Sequence, residues 1–226
     1  MNDIINNLTL VIPAKNEEDS LPVVLEELKR FNLKASIVVQ ENDLDTIKST
    51  QKFNHEILYQ PGKGYGDALI YGIKNCKTKY FCIFNADGSF DPSEIEKMYN
   101  FLNKNNLDLV FGSRYQKNSG SEDDTLVTLI GNYLFTYLGK IFFFLKLNDI
   151  LYTFVIGKTN EVNKLNLVKK DFSFCVELPI KAKRNNLKFL SFPCYERTRI
   201  AGQKKVNAFK DGSLILLHMI KLFFLK

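Results

Sequence analysis

Cysteine and histidine are scarce in this chain. The four cysteines (Cys76, Cys82, Cys175 and Cys194) include no C-x-x-C pair, and neither histidine is spaced as a partner for a zinc site. Disulfide frameworks and structural zinc sites both depend on such clustered residues. We therefore expect reduced thiols in a cytosolic protein, and neither a disulfide framework nor a zinc site.

Signals for export and for nucleic-acid binding are also missing. Residues 1–4 lack the basic and apolar regions of a signal peptide, so we expect no export. Residues 181–210 hold nine basic side chains and one acid, but no helix-turn-helix, zinc-finger or RNA-binding signature accompanies them. We therefore expect no nucleic acid as a partner. The charge indicates binding of phosphate or anionic lipid, or else a solvated helix face with a loop.

Apolar residues, by contrast, make up 45% of the 226 residues, enough for the core of one domain. In the first half, short apolar segments alternate with amphipathic ones. This alternation predicts an α/β fold with a mostly parallel central sheet flanked by helices. The predicted strands are residues 8–12, 35–39, 57–59, 80–84 and 107–111, and the predicted helices are residues 21–31, 65–75 and 92–105.

The second half contains two long apolar segments. Residues 125–147 have the length of a membrane span, but Asn132, Lys140 and Lys146 argue against one, because charges at mid-bilayer cost several kcal/mol. We expect a helix that covers the sheet or rests on a membrane surface. One domain is predicted for residues 1–212. An apolar or amphipathic helix is predicted for residues 213–226, either at a membrane interface or packed on the core. Between these segments, the pattern predicts strands at 152–156 and 189–193, a helix at 172–183 and a basic loop at 196–205.

A short acidic segment, Asn85-Ala86-Asp87-Gly88-Ser89-Phe90-Asp91-Pro92, follows the predicted strand 80–84. A carboxylate at the C-terminal end of a parallel strand lies in the crevice where open α/β sheets bind ligands. Mg²⁺ takes oxygen ligands and usually shares its shell with substrate phosphates. Asp87 is therefore the candidate ligand for Mg²⁺ or Mn²⁺ beside a nucleotide diphosphate. A loop acid or helix-capping acid is the alternative.

Five segments, spread in order over residues 8 to 212, together resemble one known family. They are Val11-Ile12-Pro13-Ala14-Lys15-Asn16-Glu17-Glu18, Gly62-Lys63-Gly64-Tyr65-Gly66, Asn85-Ala86-Asp87, Gly112-Ser113-Arg114-Tyr115 and the stretch from Arg197 to Lys205. This set resembles the family-two glycosyltransferases of the GT-A fold. It is most similar to the branch that moves a sugar from a nucleotide to a polyprenyl phosphate, the dolichol-phosphate mannosyltransferase type.

The resemblance implies a donor site at the carboxyl edge of the sheet. The nucleotide-sugar ligands that it implies are Pro13, Glu17, Glu41, Lys63, Asn85 and Asp87. Read without the resemblance, Glu17 is equally an acid at a helix N-terminus, and the glycine-rich turn at Lys63 is equally a plain strand-to-helix turn.

The resemblance also implies an acceptor site and a mobile basic loop. Arg114 is expected to bind the acceptor phosphate, for which a planar guanidinium is suited, with a structural ion pair as the alternative. Arg197, Arg199 and Lys205 are expected to close over the diphosphate and the acceptor, with Gly202 as the hinge. Asp87, Arg114, Arg199 and Lys205 are the expected catalytic residues.

Two positions depart from the family pattern. Asn85 stands where the family usually has the first acid of Asp-x-Asp, so weaker metal affinity or an altered donor choice is expected. Gln40-Glu41 stands where two consecutive Asp are common, so the identity of the donor's nucleotide base is not predicted.

Three functions remain compatible with these residues. A polyprenyl-phosphate glycosyltransferase at the inner face of a membrane needs no general base, because a phosphate monoester is mostly dianionic at neutral pH. A soluble enzyme of surface-polysaccharide synthesis with a sugar hydroxyl as acceptor needs a base, and Glu177 is the candidate. The third is a non-catalytic relative that binds a nucleotide-sugar. A sugar nucleotidyltransferase is set aside, because Pro13-Ala14-Lys15-Asn16 stands where its glycine-rich loop should be.

Overall fold

A seven-stranded sheet forms the centre of the computed structural model, which describes residues 2–202 and 205–224. Its strands are β1 Leu8–Pro13, β2 Lys34–Val39, β3 Glu56–Tyr59, β4 Tyr80–Ile83, β5 Leu109–Ser113, β7 Val155–Lys158 and β8 Phe189–Pro193, while β6 Gly120–Ser121 and β9 Tyr195–Glu196 form a small parallel sheet. The order is β3-β2-β1-β4-β7-β5-β8. Strand β7 runs antiparallel to both of its neighbours, and the other pairs are parallel. The predicted mostly parallel sheet is thereby confirmed.

Helices cover both faces of the sheet. They are α1 Asn2–Asn7, α2 Leu21–Leu28, α3 Leu44–Thr50, α4 Tyr65–Asn75, α5 Ser93–Lys104, α6 Leu126–Phe143, α7 Thr159–Asn163, α8 Phe174–Arg184 and α9 Ala208–Phe224. One apolar cluster joins α2 and α5 to one face, and a second joins α4 and α8 to the other. Because both faces are covered, the central strands consist of nearly continuous apolar residues, the feature that made them recognisable.

Several boundaries differ from those predicted. Helices α1, α3 and α7 are absent from the prediction, and α6 ends at Phe143, where Phe144 takes a left-handed conformation (φ 54°). Helix α9 begins at Ala208, so the predicted division between residues 212 and 213 falls inside this helix. Capping explains the start of α3, because the Asp43 side chain accepts a hydrogen bond from the Thr46 N–H.

Helices α6 and α9 pack against α8 in a third apolar cluster. Phe135, Val176, Ile215 and Met219 are among its buried members. The opposite side of α6 is exposed, with Leu126 72% accessible and Ile130 59% accessible. By length and composition alone α6 qualifies as a membrane span, a test that core helices of soluble proteins also pass. The pair of helices therefore combines a packed face with an exposed apolar one.

His218 of α9 predicts how stability depends on pH. The side chain is buried, no hydrogen-bond partner is found for either ring nitrogen among the described residues, and burial, reinforced by the charge of Lys169, lowers its pKa from 6.5 to about 4. Glu177 and Asp171 oppose that shift. Below pH 6.5 the unfolded chain binds a proton that the folded chain does not. This group therefore destabilises the fold by about 2 kcal/mol between pH 7 and pH 5.

Urea unfolding at these two pH values, on the wild type and on His218→Leu, measures the effect. The variant should lose less stability on acidification than the wild type does. Equal losses in the two proteins would show that the His218 pKa is not lowered by folding.

Candidate active site

The carboxyl ends of β1, β2 and β4 meet at one edge of the sheet. Pro13 pairs with Val38, and Val11 pairs with both Ser36 and Ile83, so the segments after these strands emerge side by side. The segment after β4 contains Asp87. Crevices at such edges are the usual ligand sites of open α/β sheets.

Asp87 is held in one orientation by Ser89. Its Oδ1 accepts hydrogen bonds from the Ser89 N–H at 3.0 Å and from the Ser89 hydroxyl at 2.7 Å. Its Oδ2 faces Arg199, with 3.6 Å to Nη2, and the carboxylate is 14% exposed. Gly88, with φ 81°, provides the left-handed turn between the two residues. Oδ1 of Asp87 is thus fixed by Ser89, and Oδ2 is directed at the guanidinium of Arg199.

The chemistry of Asp87 fits a divalent cation that shares its shell with a substrate. A carboxylate oxygen is a suitable ligand for Mg²⁺ or Mn²⁺. Across residues 2–202 and 205–224, no group of three or more His, Cys, Asp and Glu is placed to hold a metal by itself. An ion held by Asp87 would take further ligands from a bound substrate and from water.

Arg199 lies between two carboxylates. Its Nη2 is 3.1 Å from Asp123 Oδ2 and 3.6 Å from Asp87 Oδ2. Burial by itself lowers the pKa of Arg199, but the hydrogen bond to Asp123 and the charge of Asp87 raise it above the ordinary value. The N–H of Ile200 also donates to the Asp87 carbonyl at 2.8 Å. The structure therefore brings the predicted basic loop onto the predicted metal ligand.

Glu17 lies at the neighbouring part of the same edge. Its carboxylate contacts the Lys205 ammonium and accepts a hydrogen bond from the Ser20 hydroxyl at 2.5 Å. Pro13, the last residue of β1, is half-buried and directs the chain towards this point. Glu17 and its partner Lys205 thus lie near Arg199, whose pKa the charge of Glu17 also raises.

A cleft of about 380 Å³ lies beside β2, where the nucleotide base was expected. Its lining includes Lys15, Asn16, Gln40 and Asp43, whereas the expected residue Glu41 is exposed and is not part of the lining. Asp43 accepts a hydrogen bond from the Asn16 N–H at 2.7 Å. Sequence reasoning missed Asp43 because it missed helix α3, which this residue caps.

The glycine-rich turn before α4 packs against the protein's own backbone. A Cβ on Gly64 would lie 2.2 Å from the Lys170 carbonyl oxygen, and one on Gly66 would lie 2.2 Å from that of Lys169. Gly64 also has φ 107°. The close approach that these glycines permit is therefore made by residues 169–171. The expected contact of Lys63 with a phosphate stays a prediction, and its side chain is exposed.

Glu177 anchors that same segment. The carboxylate is fully buried and accepts hydrogen bonds from the Val168 N–H at 3.0 Å and the Lys169 N–H at 2.8 Å. Lys181 lies 2.8 Å from its other oxygen. This position corrects the expectation that Glu177 acts as a general base, because all of its surroundings are structural partners.

Arg114 is enclosed by three carboxylates. Its Nε donates to Asp149 Oδ2 at 2.7 Å, its Nη2 donates to Asp149 Oδ1 at 3.1 Å, and its Nη1 donates to Glu196 at 3.0 Å and to Asp124 at 3.4 Å. Burial opposes the charge of Arg114, but Asp149 outweighs burial and raises its pKa. The side chain is 8% exposed. This geometry differs from the expected acceptor contact and corresponds to the structural ion pair.

Arg197 also has a structural position. It donates to both carboxylate oxygens of Glu27 on α2, at 2.8 and 3.0 Å. It donates as well to the carbonyls of Gly88 and Phe90, at 3.0 and 2.7 Å. Arg197 therefore fastens the Asp87 segment to α2, and it is Arg199 and Lys205 that face the site carboxylates.

Sequence reasoning missed three consecutive acids before α6: Glu122 and Asp123 form a socket for the basic loop, and Asp124 binds Arg114. Glu122 accepts from Thr198, Asp123 from Arg199, and Asp124 from Arg114. The detectable signal was a run of acids directly before an apolar helix. Glu122 and Asp123 bind residues that lie more than 70 positions away in the sequence, and residue spacing does not predict such a pairing.

Comparison with known proteins identifies the family. The model of glycosyl transferase family 2 matches residues 9–164, more than half of the sequence, so the chain belongs to this family. The low-salt glycan biosynthesis hexosyltransferase Agl6 of Haloferax volcanii is 24% identical over 217 residues, which are 93% of this chain and 52% of that protein. The chain therefore spans about half the length of Agl6. An uncharacterized protein of Methanocaldococcus jannaschii is 28% identical over an alignment of 231 positions, which covers 96% of this chain and 93% of that protein.

Solved structures show the same fold. Mannosyl-3-phosphoglycerate synthase from Rubrobacter xylanophilus matches with a TM-score of 0.72 and 12% identity, over 97% of this chain and 74% of that one. Glucosyl-3-phosphoglycerate synthase from Mycobacterium tuberculosis, solved with Mn²⁺, UDP-glucose and phosphoglyceric acid, matches with a TM-score of 0.69 and 11% identity, over 96% and 80%. The predicted GT-A fold and family-two membership are confirmed.

The structural role of Arg114 is testable by substitution. Arg114→Met removes the cation and leaves Asp149 and Glu196 buried without it, which should destabilise the protein by about 3–5 kcal/mol. Urea unfolding measures this loss. Lys164→Met, which breaks the exposed pair with Glu161, is the control and should cost less than about 1 kcal/mol.

Arg114→Lys distinguishes the geometry from the charge. It keeps the cation but loses the two-pronged bond to Asp149, so its stability should lie between those of the wild type and Arg114→Met. Wild-type stability in Arg114→Met would refute the structural role of this buried cluster.

Proposed function

We propose that this family-two protein transfers a sugar from a nucleotide-sugar to a polyprenyl phosphate at a membrane surface, with inversion. The observation that carries the proposal is that a charged site and an exposed apolar helix face lie next to each other. Arg199 faces Asp87 and also contacts Asp123. Asp123 lies three residues before α6, which has an exposed apolar face. An acceptor with a phosphate head and a long apolar tail matches both surfaces at once.

The donor would extend from the cleft that contains Asp43 to Asp87. Asp87 Oδ2 would hold the divalent ion, and a bound ion would neutralise charge on the diphosphate leaving group. Arg199 and Lys205, which contact Asp87 and Glu17 in the structure, would turn to the phosphates when these arrive. Mn²⁺ and UDP-glucose are bound in a structure with the same fold, which supports this class of donor.

The acceptor phosphate would act as the nucleophile. One of its oxygens forms a bond to the anomeric carbon, while the bond from that carbon to the diphosphate breaks and the leaving nucleoside diphosphate keeps the electron pair. A phosphate oxygen that is already ionised has no proton to give up. This chemistry agrees with the buried, fully engaged position of Glu177. The same position argues against Glu177 as the general base that a sugar hydroxyl acceptor would need.

The exposed faces of α6 and α9 would rest on the membrane. They adjoin each other, since the rings of Phe142 and Phe223 lie 5.5 Å apart. Large exposed apolar patches mark sites of membrane or protein contact. Exposed lysines on these helices would meet anionic headgroups, which supports the proposal of a contact with the cytoplasmic face of a membrane. The large exposed side chains are Leu126, Val127, Ile130, Tyr133, Leu134, Tyr137, Ile141 and Phe142 on α6, and Phe209, Leu214, Leu216, Leu217, Ile220, Phe223 and Phe224 on α9; the lysines are Lys140, Lys210 and Lys221.

Asp87→Asn tests the reaction. With radiolabelled nucleotide-sugars, Mn²⁺ and a polyprenyl phosphate, the wild type should produce organic-extractable sugar, and the variant should be slower by about 100-fold or more, as when a group that stabilises charge in the transition state is removed. Asp91→Asn is the matched control. Asp91 caps α5 through Ser93 at 2.8 Å, and asparagine caps equally well.

The identity of the labelled product decides between the acceptors. Label on a lipid phosphate supports the proposal, whereas label only on a soluble glycan or on phosphoglycerate overturns the acceptor. Full turnover by Asp87→Asn overturns the role of Asp87.

Membrane binding is tested by sedimentation with vesicles of phosphatidylcholine and phosphatidylglycerol. The wild type should co-sediment, more weakly at high salt. The double variant Ile130→Asp/Ile141→Asp should stay in solution, because two charges enter the apolar face. Leu44→Asp on α3, equally exposed at 57%, should bind as the wild type does. Equal binding of all three, or dimers in place of vesicle binding, would contradict a membrane contact.

A further inference from the structure

Asn85 lies in a continuous chain of hydrogen bonds that ends at Asp87. The hydroxyls of Thr153 and Tyr65 are 2.7 Å apart, and the Tyr65 hydroxyl donates to Asn85 Oδ1 at 3.3 Å. Asn85 Nδ2 donates to the Ser89 hydroxyl oxygen at 3.5 Å. The Ser89 hydroxyl donates to Asp87 Oδ1 at 2.7 Å. Five side chains are thereby connected.

All the protons in this chain can point the same way. A hydroxyl has one proton, and a carboxamide has an accepting oxygen and a donating nitrogen. With Thr153 donating to Tyr65, each member accepts from the one before it and donates to the next. The last proton, on Ser89, points at Asp87. Hydrogen bonds in such a chain polarise one another in the same direction.

A carboxylate at position 85 would break this order. It has no N–H to donate, so it would accept from both neighbours. The single proton of the Ser89 hydroxyl would then be shared between two carboxylates, residue 85 and Asp87. Ser89 is 2% exposed, so water does not readily replace the lost partner.

We propose that Asn85 and Ser89 are positioning residues that fix Asp87 through an amide-to-hydroxyl relay. The inference rests on the proposed function, in which Asp87 holds the divalent ion, and it reverses the expectation that Asn85 weakens the site. The amide turns the Ser89 hydroxyl towards Oδ1, so Oδ2, which faces Arg199 in the structure, is the oxygen that would bind the metal ion. Asparagine at position 85 is therefore the residue that this particular site requires.

The test is the affinity for Mn²⁺ in the presence of UDP, followed by the electron paramagnetic resonance signal of free Mn²⁺. Asn85→Asp creates the usual Asp-x-Asp pattern but should weaken Mn²⁺ binding by about fivefold, the effect of losing one neutral hydrogen bond. Ser89→Ala should weaken it by a similar factor. Ser36→Ala is the matched control, since Ser36 is also 2% exposed and donates to a carboxylate, Glu56, at 2.7 Å.

A double-mutant cycle separates the relay from the direct effect of the added charge. In the Ser89→Ala background the contested proton is already gone, so the loss caused by Asn85→Asp should be much smaller than in the wild type. The added charge by itself attracts Mn²⁺ and would act equally in both backgrounds. Thermal unfolding of each variant shows whether the fold is kept.

Each outcome bears on one of the two proposals. Three outcomes would each overturn the relay alone. They are tighter Mn²⁺ binding by Asn85→Asp, additive effects of the two substitutions in the cycle, and an unchanged Mn²⁺ affinity of Ser89→Ala while Asp87→Asn abolishes binding. Unchanged binding by Asp87→Asn would overturn the metal role of Asp87, and the relay with it.

Discussion

The guanidinium of Arg114 joins parts of the chain that lie far apart. It binds Asp149, before β7, and Glu196 of β9, which are 35 and 82 residues away. Removing such charges from water is costly unless each is paired, so these segments can be buried together only in this arrangement. The pKa of Glu196 reflects both the cost of burial and the benefit of pairing, since burial raises it while Arg114 and Ser121 lower it. The end of β5, the start of α6 and the basic loop are therefore fixed relative to one another.

From this anchor the basic loop follows directly. It leaves β9 at Glu196, and Arg197 then holds Glu27 while Arg199 reaches Asp123 and Asp87. Arg199 therefore already faces Asp87, the carboxylate proposed to hold the metal ion beside the diphosphate.

The same arrangement links the site to the apolar helices. The socket residues Glu122 and Asp123 directly precede α6, whose inner face packs on α8 and α9. A polar cleft and an apolar face therefore begin within a few residues of each other. Glycosyl transfer to a lipid phosphate is the reaction proposed for this combination. The family is shown by the match of residues 9–164 to the family model, and the fold is shown by the similarity to solved structures.

The sequence by itself determined the α/β fold, the parallel strands and the candidate Asp87, because buried strands are apolar and a carboxylate after one of them is a local signal. It also indicated the basic loop. Only the tertiary structure decided which cations face the cleft: Arg114 and Arg197 are structural, whereas Arg199 reaches Asp87. It likewise decided that Asn85 belongs to a hydrogen-bond chain with Tyr65. The reason is physical, since a charged or amide side chain takes its role from partners that folding brings from distant positions.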